Sequence, residues 1–244
     1  MKILIVHLGT ITQILPATSI IKGLLKKDPK AEITWVINEK KDKYIFKYNK
    51  DIKKIISFSE LEKNNEVFDA LINLHPKFPH KNCENLKIKN AFDYDFSDEF
   101  KNFTNVLIGE ESISNMNIFQ VYYKLSGLVW KGEGYSIPYY PKTKTKQHRV
   151  GLGVAHAHLR DYVRENIDIK GQKLWHIPFK KNIYKKMDEI NRCKKIITDD
   201  LLTFHLAMAL HKYVYFLQTF PLNTKVELFK KGEICKVSPS FFLK

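Results

Sequence analysis

The chain has 244 residues, of which 44% are hydrophobic and 13% aromatic, a composition that supports a folded core and excludes an intrinsically disordered protein. No apolar run approaches the ~20 residues that span a bilayer, and the run in MKILIVHLG is too short for a secretory signal. Three widely spaced cysteines predict a reducing compartment, and no zinc spacing is present.

The net charge is +15, from 41 Lys and Arg against 26 Asp and Glu. This excess reflects either a composition biased toward lysine or a field that attracts polyanions such as nucleic acid, anionic lipid or phosphorylated glycans. The lysines are scattered, and no nucleic-acid-binding module has its signature here. We therefore expect no nucleic-acid partner.

The first half of the chain alternates apolar runs with helical patterns. Pro16 suits the first turn of a helix and precedes the periodic segment ATSIIKGLLKK. A second helical pattern covers residues 39–48. The apolar runs predict buried strands at 3–5, 32–37, 52–58 and 68–74. Strands joined by helices predict a parallel sheet with right-handed crossovers.

The second half repeats this alternation after a break. NIFQVYYKLSGL (117–128) predicts a helix, and YSIPYYPKTKTKQH (135–148) has the prolines, lysines and lack of periodicity of a linker. We therefore place one lobe at 1–134 and a smaller one at 149–244. Within the smaller lobe we predict strands at 149–154, 194–198 and 213–217, helices at 183–193 and about 201–211, and a polar loop at AHAHLRDYVREN.

Two adjacent carboxylates, Asp199 and Asp200, stand between an apolar strand and a helix. Asp200 is well placed to cap that helix, because an N-cap carboxylate accepts from the first backbone N–H groups. In open α/β sheets, however, ligands bind beyond the carboxyl ends of strands. The pattern leaves two interpretations open for Asp200, a cap alone or a cap that also contacts a ligand. Asp199 is expected to be a solvated neighbour.

Three blocks of the sequence resemble glycosyltransferase family 9 (GT9), the ADP-heptose:lipopolysaccharide heptosyltransferases and their relatives. They are MKILIVHLGTITQILPATSIIKGLLKKDPKAEITWVI, FDALINL and INRCKKIITDDLLTFHLAMALHKYVYFLQTFP. The resemblance implies an α/β protein of the GT-B fold, with two Rossmann-like lobes and parallel sheets. It also implies an acceptor site in the first lobe, a nucleotide-sugar site in the second, reduced lobe, and no metal or other cofactor.

The same resemblance implies particular donor-binding residues. Asp200 falls on the family's aspartate that contacts the donor sugar, and His205 on its helix histidine. Lys173, in GQKLWHIP, resembles the family lysine that meets the donor diphosphate. Leu201, Leu202 and Thr219 complete the predicted donor site. For each residue an ordinary structural role is the alternative: a cap for Asp200, core packing for His205 and an exposed surface lysine for Lys173.

The chain departs from the family pattern at the predicted catalytic position. Gln13 stands where the family has the aspartate proposed as general base, and an amide does not accept a proton near neutral pH. His7 is a weaker candidate for a substitute base, because the ordinary pKa of a histidine lies near 6.5. We interpret Thr10 and Thr12 as acceptor contacts or plain loop residues, and Arg160 as a contact to an acidic group or a solvated side chain.

Two further departures concern the donor side. Leu201 replaces a family hydroxyl residue, and no room is left between 177–179 and the helix from 183 for the strand–helix–strand that normally completes the nucleotide pocket. The resemblance nevertheless predicts a cytoplasmic transferase of lipopolysaccharide biosynthesis, which moves heptose from ADP-heptose to an acidic glycan or lipid-linked acceptor at the inner membrane face. The alternative is a non-catalytic relative that binds glycan or a partner protein.

Overall fold

A computed structural model describes residues 1–61, 63–74, 88–91, 116–154, 157–179, 182–219 and 232–237. The chain divides into two compact units, of which the first is formed by Met1–Pro138 and the second begins at Tyr139. Each unit contains one five-stranded parallel sheet, so the α/β class predicted from the sequence is confirmed.

The first unit has the strand order β3-β2-β1-β4-β5. Both faces of its sheet are covered, because consecutive residues such as Ile3, Leu4 and Ile5 are all buried. This is the pattern expected of a continuous apolar run in a parallel sheet. Its elements are β1 Lys2–Val6, α1 Ile11–Ala17, α2 Ser19–Lys27, β2 Glu32–Ile37, a 3-10 helix Lys40–Phe46, β3 Ile52–Ser57, α3 Phe58–Leu61, β4 Phe68–Asn73, β5 Ile88–Ala91 and α4 Ile118–Leu125.

The first helix begins earlier than the sequence suggested. Pro16 was expected in the first turn, but α1 already starts at Ile11, and Pro16 lies near its end. A proline inside a helix donates no backbone hydrogen bond, and Thr18 separates α1 from α2. The start is set instead by Thr10 and Gln13, whose polar groups bond to each other across the first turn.

The second unit has the strand order β10-β9-β8-β6-β7. Its elements are β6 Lys146–Gly153, α5 Ala157–Asn166, β7 Lys173–His176, α6 Ile183–Asn191, β8 Cys193–Thr198, α7 Leu201–Ala209, β9 Tyr213–Gln218 and β10 Gly232–Lys236. All described strand pairs in this sheet are parallel. Although this lobe is short, its sheet has five strands, as many as the sheet of the first unit.

The predicted polar loop after β6 is wrong, because Ala157–Asn166 forms a helix. Leu159 and Val163 stand one turn apart on its buried face and pack on Val150 and Leu152 of β6. Its other described positions are largely charged or polar, and they obscured the apolar spacing of this face in the sequence.

Residues of the predicted linker, 135–148, are hydrogen-bonded within both units. In the first, Ser136 N donates to Thr18 Oγ1 at 3.0 Å. In the second, Lys142 N donates to Asp188 Oδ1 at 2.7 Å and Thr143 Oγ1 donates to Asp188 O at 2.6 Å. Across the described part of the chain, none of the helices has the length and apolarity needed to cross a membrane.

Candidate functional site

The strand order of the second unit marks a place for a ligand. The chain runs from β6 to β7 on one side and then returns to form β8 on the other side of β6. The order therefore reverses between the carboxyl ends of β6 and β8, the position where open α/β sheets bind ligands. Gly153 and Thr198 pair at that end, and Thr198 Oγ1 donates to Gly153 O at 2.7 Å. Asp199 and Asp200 follow directly.

Asp200 caps α7, as the sequence predicted. Its Oδ2 accepts from Thr203 N at 2.9 Å and from Thr203 Oγ1 at 2.5 Å. A third donor, Lys186 Nζ, reaches the same oxygen at 2.9 Å. No donor from the described residues reaches Oδ1, and the side chain is 25% exposed. The cap therefore uses one carboxylate oxygen, and the other has no donor among the described residues.

Lys186 is a buried lysine that pairs with Asp200 at this edge of the sheet. It comes from α6, its side chain is only 1% exposed, and its Nζ lies 5.5 Å from the centroid of the Phe179 ring. Burial alone would raise the pKa of Asp200, but hydrogen bonds from Thr203 and Lys186, with the charge of Lys186, hold that pKa below its usual range. Asp200 is therefore ionised at neutral pH.

His205 lies five residues after the cap, in the second turn of α7. Its ring is buried and packs edge-on against Phe204, with ring centroids 5.2 Å apart. Burial lowers the pKa of His205 to about 4, against the opposing attraction of the Asp200 charge. At neutral pH this histidine is therefore uncharged.

In the first unit the strand order reverses between β1 and β4. The loop from His7 to Thr10 follows the carboxyl end of β1, so it lies at the corresponding ligand position of this sheet. Leu74 N donates to Val6 O at 2.8 Å and extends the pairing of the two strands toward the loop. The predicted acceptor residues Thr10 and Thr12 thus stand where a ligand is expected.

Gln13 lies in the first turn of α1 and helps to cap this helix. Its Oε1 accepts from Thr10 N at 2.9 Å and from Thr10 Oγ1 at 3.2 Å, while Thr10 Oγ1 lies 2.8 Å from Thr12 Oγ1. The amide nitrogen is the remaining polar group of Gln13, and it can donate a hydrogen bond but cannot take a proton.

His7 is held by bonds at both ring nitrogens. Nδ1 accepts from Gly9 N at 3.1 Å, and Nε2 lies 3.2 Å from Tyr122 Oη. Since Tyr122 donates its hydroxyl proton to Gln13 O at 2.9 Å, Nε2 carries the single N–H proton of the ring and donates it to Tyr122 Oη. The ring is 3% exposed. A role as substitute base does not fit this geometry. A general base needs a ring nitrogen whose lone pair points at the substrate hydroxyl, and both nitrogens of His7 are bonded within the protein.

No family model and no curated protein matches the chain. Solved structures of other proteins match it over nearly its whole length. A glycosyl transferase of family 9 from Veillonella parvula has a TM-score of 0.68 at 16% identity, over 99% of this chain and 87% of the other. The ADP-heptose lipopolysaccharide heptosyltransferase II of E. coli has a TM-score of 0.65 at 12% identity, over 98% and 91%. An E. coli heptosyltransferase solved with ADP has a TM-score of 0.65 at 14% identity, over 96% and 93%.

The chain has the fold of glycosyltransferase family 9. The two parallel-sheet units are the Rossmann-like lobes of the GT-B architecture, and that prediction is confirmed.

Within the family 9 fold, three more of the predicted donor residues lie at the carboxyl edge of the second sheet. Leu201 and Leu202 form the first turn of α7 and are half-buried, and Thr219 follows the end of β9. The two leucines offer only backbone N–H groups to an anion, and Thr203 N is already bound to Asp200.

Lys173 lies at the amino ends of the strands of the same sheet, opposite the carboxyl ends that hold Asp200. It opens β7 and pairs with Arg149, whereas Gly153, four residues further along β6, is the residue that pairs with Thr198 before the aspartates. Four residues of strand span about 13 Å. The donor contact predicted for Lys173 does not fit this geometry, because the lysine and Asp200 stand at opposite ends of the strands.

Trp175, two residues after Lys173, is a packing residue. Its Nε1 donates to Glu189 Oε2 at 3.0 Å, and the guanidinium carbons of Arg149 and Arg192 lie 4.3 and 5.7 Å from its ring centroid. Arg160 is exposed on α5, and its acceptor role stays a prediction. In the described segments, no three His, Cys, Asp or Glu side chains are grouped to hold a metal ion.

The residue that sequence reasoning missed is Lys186. The signal was its position on an apolar helical face: Ile183 precedes it by three residues, Ile190 follows it by four, and both are buried. A lysine on such a face requires a charged partner. The sequence had already singled out Asp200 at the end of the next strand, and it is this partner.

Proposed function

We propose that the chain is a glycosyltransferase that takes an ADP-sugar as donor, and that the transferred sugar is heptose. The observation that carries the proposal is Asp200, which stands at the strand-order reversal of the second sheet and keeps one carboxylate oxygen that no donor from the described residues reaches. A carboxylate of this kind suits a sugar hydroxyl, since charged acceptors form the stronger hydrogen bonds. The E. coli enzyme that shares the fold was solved with ADP, which supports the nucleotide.

The proposed reaction breaks the bond between the anomeric carbon and the diphosphate and forms one to an acceptor hydroxyl oxygen. ADP leaves with the bonding electrons, and backbone N–H groups at the start of α7 stabilise the growing negative charge, as helix N-termini do. No metal or other cofactor takes part in this scheme. Gln13 would orient the acceptor hydroxyl through its amide group, and the hydroxyl proton would leave to water or to the departing diphosphate.

The proposed acceptor is an acidic glycan or a lipid-linked glycan such as lipopolysaccharide core. The net charge of +15 supports it, because a basic protein is drawn to phosphorylated and membrane-held polymers. The proposal includes a cytoplasmic protein that associates peripherally with the inner membrane face. Thr10, Thr12 and Arg160 are its proposed contacts.

Isothermal titration with ADP, ADP-heptose and UDP-glucose tests the donor. We expect heat of binding with the two adenine nucleotides, weaker or no binding of UDP-glucose, and tighter binding of ADP-heptose than of ADP. Asp200→Asn should lose the preference for the sugar nucleotide, and Asp199→Asn, a neighbour of the same charge, should keep it. Absence of heat with all three nucleotides would contradict the proposal.

Gln13 favours a second candidate function, a non-catalytic protein that binds glycan or a partner protein. Its Oε1 is committed to capping α1, and the amide cannot act as a general base. Transfer assays of the native chain beside Gln13→Asp and Gln13→Glu separate the two functions. An inactive native chain whose carboxylate variants gain turnover indicates a binding protein that has lost its base. A native chain that turns over as fast as both variants shows that residue 13 is not limiting.

A further inference from the structure

A buried ion pair lies directly beneath the proposed donor site. Lys186 Nζ contacts Asp200 Oδ2 at 2.9 Å, and the two side chains are 1% and 25% exposed. An ammonium group loses much of its hydration when it is buried this deeply, so a lysine at this position needs a partner. Only the carboxylate of this pair reaches solvent, and any ligand would therefore meet Asp200 and not Lys186.

The lysine determines which part of Asp200 a ligand can use. Three protein donors converge on Oδ2, namely Lys186 Nζ, Thr203 N and Thr203 Oγ1, and none from the described residues binds Oδ1. Because the carboxylate is fixed through one oxygen, the direction of the other is fixed as well. A carboxylate held in this way accepts one hydroxyl in a defined direction, whereas a freely rotating one could accept from two adjacent hydroxyls.

The lysine also changes the charge that a diphosphate would meet. An unpaired Asp200 would repel an anionic donor at the carboxyl edge of the second sheet, and a buried ammonium in contact with it largely cancels that repulsion. The pair therefore reconciles two requirements of a nucleotide-sugar site, an acceptor for a sugar hydroxyl and a surface that tolerates two phosphates.

We propose that Lys186 is a positioning residue of the donor site, which fixes Asp200 through Oδ2 so that Oδ1 alone receives a sugar hydroxyl. This inference rests on the proposed function of the same site, because it assigns a role to Lys186 in binding a nucleotide sugar. Lys186 itself does not touch the ligand.

The test is the sugar preference of each variant, defined as the dissociation constant of ADP divided by that of ADP-heptose. A general loss of stability or of diphosphate affinity changes both constants together, so the ratio responds to the sugar contact. Titration of the full chain at pH 7 should show the ratio about tenfold lower in Lys186→Met, the size expected for one charge-assisted hydrogen bond. Lys185→Met is the matched control, because Lys185 is exposed on the same helix and the change in charge is identical.

Asp200→Asn provides a second measurement if Lys186→Met does not fold. The three donors at Oδ2 require the amide oxygen there, so the amide nitrogen takes the place of Oδ1 and presents donors to the sugar. The ratio should then fall toward one while ADP still binds. A ratio within twofold of the native value in either folded variant overturns the role of Lys186. A native chain that binds neither ADP nor ADP-heptose overturns the proposed function itself, and the inference with it.

Discussion

Asp200 and His205, both at the start of α7, differ in their charge at neutral pH. The carboxylate keeps its charge because donors surround one of its oxygens, and the imidazole loses its charge because burial gives it little hydration. The pKa of Asp200 is held below its usual value near 3.8, and that of His205 is lowered from 6.5 to about 4.

We predict that His205 makes the protein less stable as the pH falls from 6.5 to about 4. In this window the unfolded histidine binds a proton that the folded one does not, so acidification favours unfolding. At 1.36 kcal/mol per pKa unit, the full effect below pH 4 is about 3 kcal/mol. Denaturant unfolding at pH 7 and pH 4.5 measures it, with His205→Gln as the comparison. An equal loss of stability in both proteins would contradict the prediction.

Gly9 gives a prediction for the first loop. A side chain there would place its Cβ 2.5 Å from Gln13 Oε1 and 2.7 Å from Cε1 of the fixed His7 ring. Gly9→Ala should therefore displace the Gln13 cap and destabilise the chain by about 1 to 2 kcal/mol, in the range of an overpacked site. Chemical denaturation measures this cost. In a Gln13→Ala background the added cost should be smaller, and fully additive costs would show that the two residues do not compete for space.

Single residues differ in how well the sequence predicted them. The cap at Asp200 followed from an acidic residue between an apolar strand and a helix, which is a local pattern. The separation of Lys173 from Asp200 did not follow, because it depends on which end of β7 the lysine occupies and on how β7 pairs with β6. Strand pairing of this kind joins residues far apart in sequence, and a local pattern carries no information on it.

At the scale of elements, α4 supports the loop after β1. Its Tyr122 hydroxyl contacts both His7 and Gln13, and its Tyr123 hydroxyl donates to Ser19 O at 2.8 Å. The helix itself starts with a reciprocal cap, in which Asn117 Oδ1 accepts from Gln120 N at 3.0 Å and Gln120 Oε1 accepts from Asn117 N at 2.9 Å.

We predict that Asn117→Ala lowers the free energy of unfolding by about 1 kcal/mol, the usual cost of a lost N-cap. Because Asn117 is buried, water would replace the lost acceptor poorly, and the start of α4 should fray. Equilibrium denaturation measures the cost. Asn117→Ser, which restores a capping oxygen, should recover most of it, and an alanine variant as stable as the native chain would show that the cap contributes nothing.

The element pattern was predicted best where apolar runs were continuous. β1, β2, β4, β8 and β9 follow such runs closely, whereas β7 has a mixed sequence and α5 hides its apolar spacing among charged residues. The early start of α1 has another cause, since the capping contact between Thr10 and Gln13 overrides the preference of Pro16 for a first turn.

At the scale of the whole molecule, each of the two units has its own sheet and its own buried cluster. A ligand that binds one folded unit and not its unfolded chain stabilises that unit by an amount set by its concentration and dissociation constant. Local stability can therefore report which unit binds the nucleotide.

We predict that ADP at 100 times its dissociation constant stabilises the second unit by about 2.7 kcal/mol. Amides of β6, β8 and α7 should then exchange hydrogen more slowly, and those of β1 and β2 should change less. Hydrogen exchange followed by mass spectrometry measures both sets in one sample, and UDP-glucose at the same concentration is the control. Protection confined to β1 and β2 would place the nucleotide in the first unit and contradict the donor assignment.

The bonding of Gln13 has an evolutionary consequence. The helix needs only one side-chain oxygen at position 13, and an amide and a carboxylate of equal length both supply it. An exchange between Gln and Glu would therefore leave the scaffold intact and alter only the atom that faces outward. Descendants of such a protein could gain or lose a proton acceptor without refolding, so reactivity at this position is free to drift while architecture is conserved.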